Sequence, residues 1–298
     1  MTVRTRNRLI TLSILAGPFI FLLGLLVFWD AEPLPPIPPL PDPNGYDELV
    51  KAGKTITGDV GNFDRMSEAE LGALVQSNSN ALQLARAGLR EKCRVTLDYS
   101  AASSSRLDQL TALKRLAQAL AGRGRLEEAE KRPAEAVQSD LDMIRLANTS
   151  ARGGVIIDQL VGTAIEAIGV ANLQQLVDKL DTKTCREMAA SLETLDSDRQ
   201  TWDEVMQQER DWSRRTFPGI RNELVRLMSR NTLNKVNQRA ERKFDEQEGI
   251  TRQLILELAA RAYELDKGHR PASAADLVPD YLKAVPQDPV TGKELNLN

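Results

Sequence analysis

Few residues of this chain could serve as nucleophiles, bases or metal ligands. Its 298 residues include a single histidine, His269, and two cysteines, Cys93 and Cys185. A thiol nucleophile needs an adjacent base, and a conventional zinc site needs about four ligands. The sequence also lacks the Gly-x-Ser-x-Gly, phosphate-loop, His-Glu-x-x-His and Cys-x-x-Cys motifs. We therefore predict no catalytic residue, no cofactor and a non-enzymatic protein.

Carboxylates are the one catalytic group in good supply, because the chain has 42 aspartates and glutamates. Two carboxyl groups are enough to hydrolyse a glycosidic bond. Glu48, Glu70 and Glu166 lack the serine and the aromatic cleft that normally surround the catalytic glutamate of wall-degrading enzymes. A cell-wall hydrolase with paired carboxylates is therefore the alternative function. A deep groove lined by glutamate and aromatic residues would favour it, whereas a continuous exposed apolar strip would favour a scaffold.

The N-terminal residues predict where the rest of the chain lies. Arginines at positions 4, 6 and 8 precede an uncharged segment, residues 9–29. At ~1.5 Å per residue, this segment matches a hydrocarbon core of ~30 Å. Because basic residues favour the cytoplasmic side, we predict a cytoplasmic tip at 1–8, a transmembrane helix at 9–29 and a body outside the cytoplasmic membrane. The alternative is a cleaved signal peptide, whose apolar core is usually shorter, ~7–15 residues.

Residues 30–44 are the predicted linker between the membrane and the body. Seven of the eleven residues 33–43 are prolines. Such a segment adopts extended polyproline geometry and acts as a semi-rigid spacer. The alternative is a docking ligand for a proline-reading domain, but such domains are mostly cytoplasmic.

The composition of the body favours helices and an acidic surface. The chain has 39 basic residues, and removing the three N-terminal arginines leaves 36 against 42 acidic residues. This balance argues against nucleic acid as a partner. Only 4% of residues are aromatic, which together with many Ala, Leu, Glu and Arg residues predicts a mainly α-helical protein. Outside the cytoplasm Cys93 and Cys185 are a candidate disulfide, with two buried free thiols as the equal alternative.

Residues 45–245 are predicted to form a multi-helix domain. Ser67 and Glu70 have the spacing of a capping box that starts a helix. Leucines recur at intervals of three and four within residues 107–120, which indicates an amphipathic helix. After Gly153-Gly154 comes a long apolar stretch with small residues such as Gly162 and Gly169. We expect this stretch to be a central core helix and not a second membrane span.

One helical hairpin is predicted within this domain. Gly122-Arg123-Gly124 should end the leucine-rich helix, and a second helix should run from Leu126 to Asn148, with Pro133 as a kink or a restart. The pair resembles one tetratricopeptide unit. Because stacking arrays need about three such units, we expect a single hairpin and no solenoid.

Residues 221–243 contain seven lysines and arginines and few acids. A basic helix of this kind could meet anionic lipid head groups or cell-wall polymers. The simpler interpretation, which we favour from sequence, is the solvated face of a long helix.

Residues 246–298 are predicted to form a helix followed by a small cap. Asp288-Pro289 should begin a turn, and Gly292 can adopt the positive φ that ends it. The expected product is a compact cap with a turn or a short β-hairpin.

This tail resembles the C-terminal part of the major pseudopilins of type II secretion, over about fifty residues. There, too, a long helix leads to a Leu-Val-Pro segment and an Asp-Pro turn. The N-terminus departs from that family, because no prepilin cleavage site is present. The whole chain is similar to a group of uncharacterised bacterial envelope proteins with one span, a helical body, an Arg-Gly-Gly segment (Arg152-Gly153-Gly154 here) and this tail. That resemblance implies topology and fold but no activity.

Calcium binding is a further implication of the pseudopilin resemblance. Some pseudopilin tails bind calcium near the Asp-Pro turn, which here makes Asp280 and Asp288 weak candidates. Calcium takes about six to eight oxygen ligands, so we expect Asp288 to serve the turn instead. The sequence as a whole predicts a scaffold or interaction protein with envelope proteins as partners, linked to secretion or envelope assembly.

Overall fold

The computed structural model describes residues 34–100 and 105–297. The predicted cytoplasmic tip and the transmembrane helix at 9–29 lie outside these ranges, as do residues 101–104. Within the described residues the protein is mainly helical, as predicted, with nine α-helices and three 3-10 helices. Residues 34–41 of the proline-rich linker contain no helix or strand.

The helices are labelled in chain order. The α-helices are α1 (Gly45–Thr55), α2 (Glu68–Ser77), α3 (Ser79–Gly88), α4 (Ser105–Ala129), α5 (Pro133–Ala151), α6 (Ile156–Leu176), α7 (Thr182–Ser197), α8 (Trp202–Thr216) and α9 (Ile220–Lys267). The 3-10 helices are Val60–Arg65, Val177–Lys179 and Ala274–Leu277.

The capping box at the start of α2 is confirmed. The Glu70 backbone N–H donates to Ser67 Oγ, and the Ser67 backbone N–H donates to Glu70 Oε2 over 2.8 Å. Helix α2 ends at Ser77, and Asn78 separates it from α3. The side-chain amide nitrogen of Asn78 donates to the carbonyl oxygens of Leu74 and Thr57. Asparagine competes with the helix backbone in this way, so the chain turns at this residue.

The predicted end of the leucine-rich helix at Gly122-Arg123-Gly124 is wrong. Helix α4 continues to Ala129, and the turn comes at Lys131, which has a φ of +59°. Pro133 is the first residue of α5, so it restarts the chain and does not kink a helix. Gly124 serves packing, because a Cβ there would lie 3.3 Å from the Asp140 carboxylate of α5.

Helices α5 and α6 form a wall between two hydrophobic cores. Neighbouring residues of α5 face opposite sides, with Met143 in the N-terminal core and Ile144 in the C-terminal core. The small residues of α6 let it approach α5 closely, because a Cβ on Gly162 would lie 2.8 Å from the Ala147 carbonyl oxygen and one on Gly169 would lie 2.8 Å from Ile144.

Helix α6 is the apolar helix predicted after Gly153-Gly154. With the 3-10 turn that follows, residues 156–179 are long and apolar enough to cross a membrane by length and composition. Within the folded protein, 44% of its most apolar stretch is buried. Helix α6 packs against α5, α9 and α4, as expected for a helix of the core.

Helix α9 joins two segments that the sequence separated. Its 48 residues include both the basic stretch 221–243 and the predicted tail helix. The boundary placed between residues 245 and 246 therefore falls inside one helix. The C-terminal half of α9 is buried in the C-terminal core through residues such as Leu254 and Leu258.

The tail after Gly268 folds back as a cap on α7 and α9. Leu277, Tyr281 and Leu282 belong to the C-terminal core. The Asp-Pro turn is confirmed: Gly292 has a φ of +67°, and its N–H donates to the Asp288 carbonyl oxygen. The described residues contain no β-strand, and a single antiparallel bridge joins residues 287 and 294, so the cap is a turn and not a β-hairpin.

The glycine contacts lead to a stability prediction. Gly162→Ala should lower the free energy of unfolding by about 1–3 kcal/mol, because the added methyl group meets the rigid backbone of α5. Gly72→Ala in α2 is the matched control, since a Cβ there meets nothing within 4 Å, and it should raise stability by about 0.5–1 kcal/mol. Urea unfolding of the two variants measures the difference. Equal stability of both would show that α5 and α6 are not in close contact.

Candidate functional site

The two cysteines lie in different parts of the structure. Cys93 belongs to the N-terminal core and Cys185 to the C-terminal core, and both are free and buried. The structure therefore does not form the candidate disulfide and has the alternative of two free thiols. Burial raises the pKa of each thiol to about 11. Since the thiolate is the reactive form, both side chains act here as small apolar residues.

The two calcium candidates, Asp280 and Asp288, have separate local contacts in the structure. The carboxylate of Asp288 accepts the backbone N–H groups of Val290 and Thr291, and the hydrogen bond from Thr291 lowers its pKa. Asp280 is exposed and contacts Arg186 through its backbone oxygen. No group of three or more His, Cys, Asp or Glu residues within the described ranges could hold a metal ion.

The remaining sequence candidates have local structural roles. Glu48 pairs with Lys51 on the surface of α1 at 3.6 Å. Glu70 caps α2, and the hydrogen bond from the Ser67 side chain lowers its pKa. His269 is an exposed loop residue whose ring packs edge-to-face with that of Tyr263, at 5.5 Å between centroids.

Glu166 is the centre of a buried ionic cluster that the sequence did not reveal. It lies in the middle of α6 with 2% of its surface exposed. Arg199 donates to both of its carboxylate oxygens, at 2.8 and 2.5 Å, and Thr251 of α9 donates to Oε1 at 2.8 Å. This arrangement connects α6, the segment between α7 and α8, and α9 through one carboxylate.

Further charges complete the cluster on the α9 side. Asp196 lies 3.6 Å from Arg199 and 2.8 Å from Arg252, which also pairs with Glu248 at 2.6 Å. Burial alone would lower the pKa of Arg199, but the charge and hydrogen bonds of Glu166 raise it above its usual value. Burial raises the pKa of Glu248. Each charge has an opposite partner, so the cluster holds helices together and leaves no free carboxylate for catalysis at Glu166.

A second buried carboxyl group lies on Asp140 of α5. Among the described residues, its side-chain hydrogen-bond partner is an amide and not a cation. Asp140 is 2% exposed and accepts a hydrogen bond from Asn172 of α6 at 3.2 Å. The pKa of Asp140 is raised to about 7, mainly by burial. The hydrogen bond from Asn172 lowers this pKa, whereas the negative charges of Glu127 and Glu128 raise it further. Asp140 is therefore partly protonated near neutral pH.

A small cavity of about 190 Å³ lies where α6 and α8 meet the segment before α4. Trp212 and Phe217 line it, with ring centroids 6.1 Å apart, and Trp212 donates to the Asp98 carbonyl oxygen. Arg106 lies at its edge, where it pairs with the buried Asp158 and donates to Tyr46 Oη at 2.9 Å. None of the lining residues is a glutamate, so the cavity does not match the groove expected of a wall hydrolase.

Several exposed apolar side chains lie on the first half of α9. We call residues 225–239 the arm, because most of these residues are exposed. Four large apolar side chains of the arm are exposed by 46–87%: Val225, Met228, Leu233 and Val236. At 100° per residue they fall within about 140° of one helix face. They form an exposed apolar strip along one face of the arm, and patches of this kind occur at protein-interaction sites and membrane contacts.

Comparisons of the chain with protein-family models, with curated proteins and with solved structures found no match.

The ionic cluster predicts a large effect of removing Arg199. Arg199→Met should lower the free energy of unfolding by about 3–5 kcal/mol, because Glu166 would remain buried without a partner. Adding Glu166→Gln to this variant should restore part of the loss, since the uncompensated charge disappears. Lys183→Met is the control, because its pair with Glu187 is exposed. A small effect of Arg199→Met in thermal unfolding would contradict the role of the cluster.

Asp140 predicts a dependence of stability on pH. Burial raises the pKa of Asp140 in the folded protein from its usual 3.8 to about 7, so the folded state binds the proton more tightly than the unfolded state does. This stabilisation is complete below about pH 4 and is lost as pH rises through about 7. A tenfold change in proton affinity corresponds to about 1.4 kcal/mol, which sets an upper limit of about 4 kcal/mol for the loss.

Asp140→Asn should remove this loss and make the protein more stable than the wild type at about pH 8. Asp64→Asn, at an exposed position, should leave the pH profile unchanged. Urea unfolding midpoints measured from acid to alkaline pH check both variants, and parallel profiles for wild type and Asp140→Asn would refute the prediction.

Proposed function

We propose that this protein is a membrane-anchored, extracytoplasmic scaffold or interaction protein of the cell envelope. The exposed apolar strip of the arm carries the proposal. A helix segment that presents four large apolar side chains to solvent is stabilised by covering them. The body itself does not cover them, so a partner outside the described residues is expected.

The order of the elements supports the anchored topology. Residues 9–29 are the proposed span in the bilayer, and the proline-rich residues 33–43 lead directly into α1. From Pro35 onward the linker contacts the body through Arg215, so it joins the proposed span to a body that stays close to the membrane. The proposed location is therefore the cytoplasmic membrane, with a single span, the N-terminus in the cytoplasm and the body outside.

The resemblance of the tail to pseudopilins suggests the pathway. The cap presents a turn around Asp288 and an exposed Val290 beside it. We propose envelope proteins of secretion or envelope assembly as the partners, with the cap and the acidic body as the surfaces that meet them. A wall hydrolase with paired carboxylates is the alternative outcome of the experiment below.

Affinity purification of the full-length protein from crosslinked native membranes tests this proposal. We expect secretion or pilus components to be recovered with the body and identified by mass spectrometry. The control is residues 1–44 joined to the same tag, which keeps the predicted anchor and linker but lacks the helical body. Partners of the body must be absent from this control. Recovery of wall fragments without any protein above the control level would overturn the scaffold and favour the hydrolase.

A further inference from the structure

The charge of the arm differs from that of the rest of the body. Residues 225–239 contain four basic residues and no acidic residue, in a chain with a net charge of −3. On a helical projection, Arg226 and Arg230 lie on one side of the apolar strip and Lys235 on the other, while Arg239 falls within the angular range of the strip, at its C-terminal end. An apolar face bordered by arginine and lysine is the pattern of a helix that lies in a membrane interface.

The structure also fixes where the arm begins. Arg226 donates to the carbonyl oxygens of Ser213 and Phe217, at 2.9 and 2.8 Å, and so holds the start of the arm against the end of α8. At the same end of α8, Arg215 donates to the backbone oxygen of Pro35 in the linker. The first residues of the arm therefore lie beside the linker.

The linker limits the distance between this corner and the lipid. Pro35 follows the predicted span, which ends at Trp29, by six residues. Six fully extended residues reach at most about 20 Å. The start of the arm is thus close to the membrane surface whenever the span is inserted. Phe217, at the turn before α9, is 38% exposed and adds an apolar side chain of the kind that interfacial helices bury at the boundary of the head groups.

Charge argues against pairing of two arms. An arm beside the arm of a second copy would bring the basic side chains of both helices together, and like charges at close range are unfavourable. An anionic surface has the opposite effect, because it compensates the arginines and lysines while its acyl boundary receives the apolar strip.

We propose that the arm lies on the outer surface of the anchoring membrane and binds anionic lipid head groups through Arg230, Lys235 and Arg239. Val225, Met228, Leu233 and Val236 enter the boundary between head groups and acyl chains. This inference rests on the anchored topology of the proposed function and names the partner of its exposed strip. Span and arm together would orient the body, which leaves the cap free for protein partners.

Lipid quenching of a fluorescent label measures whether the arm touches the bilayer. The full-length protein is placed in nanodiscs of phosphatidylglycerol or phosphatidylcholine that contain spin-labelled lipid. Met228→Cys carries a bimane label, and because Cys93 and Cys185 are buried, the introduced thiol is the one that reacts in the folded protein. Val290→Cys is the matched control, since Val290 in the cap is 70% exposed.

We expect the label at residue 228 to lose more than about half of its emission in phosphatidylglycerol discs. The label at residue 290 should keep its emission. Phosphatidylcholine discs should give weak quenching at residue 228, and raising the salt to about 1 M should reduce the quenching in phosphatidylglycerol, because the screening length falls to about 3 Å.

A charge variant separates lipid binding from simple proximity. Arg230→Gln, Lys235→Gln and Arg239→Gln together change exposed side chains and should reduce quenching at residue 228 to the level at residue 290. In the protein that keeps Arg230, Lys235 and Arg239, an unquenched label at residue 228 would overturn the inference while the anchor stands. Equal quenching at residues 228 and 290 of that protein would overturn it as well. A protein released from membranes by alkaline carbonate would show that the anchor itself is absent, which overturns both proposals.

Discussion

The buried carboxylate of Glu166 is the constraint on which the arrangement of the C-terminal half depends. A charge in the middle of an apolar helix is costly unless it is paired and hydrogen-bonded. Arg199 and Thr251 meet this requirement from two other parts of the chain. The position of Arg199 sets the path from α7 to α8, and the position of Thr251 fixes the C-terminal half of α9. The same half of α9 then supports the cap through the C-terminal core.

Helix α9 is long enough to belong both to the C-terminal core and to the surface of the protein. Its buried part is anchored by Thr251, and Phe244 packs on Trp202 of α8 with centroids 5.8 Å apart. Before this point the helix continues as the arm, whose residues are mostly exposed. A helix is stiff over several turns, so fixing one half also fixes the direction of the other. The arm, the end of α8 and the linker therefore lie at one corner of the body.

The wall formed by α5 and α6 explains why the two halves behave as one body. Glycine at positions 162 and 169 lets the backbones approach closely, and both helices contribute to both cores. The cysteines are divided by this arrangement, one in each core, so no crosslink is needed to join the halves. The resulting fold has a close-packed interior and carries exposed apolar and basic side chains on the first half of α9.

The sequence alone determined the features that depend on neighbouring residues. The helical class follows from composition, the capping box at Ser67 and Glu70 from their spacing, and the turn at Asp288 from the Asp-Pro pair and Gly292. Each of these involves hydrogen bonds within about five residues, so local sequence is sufficient. The proposed span at 9–29 also rests on local composition.

Only the tertiary structure decided the features that depend on distant residues. Gly124 serves close packing inside a helix, although glycine often ends one, and α9 continues across residue 245 into the C-terminal core. The pairing of Glu166 with Arg199 and the exposure of Met228 have no local signal. The sequence showed which side chains are charged or apolar, but packing determined which of them are covered, because burial is a property of the whole chain.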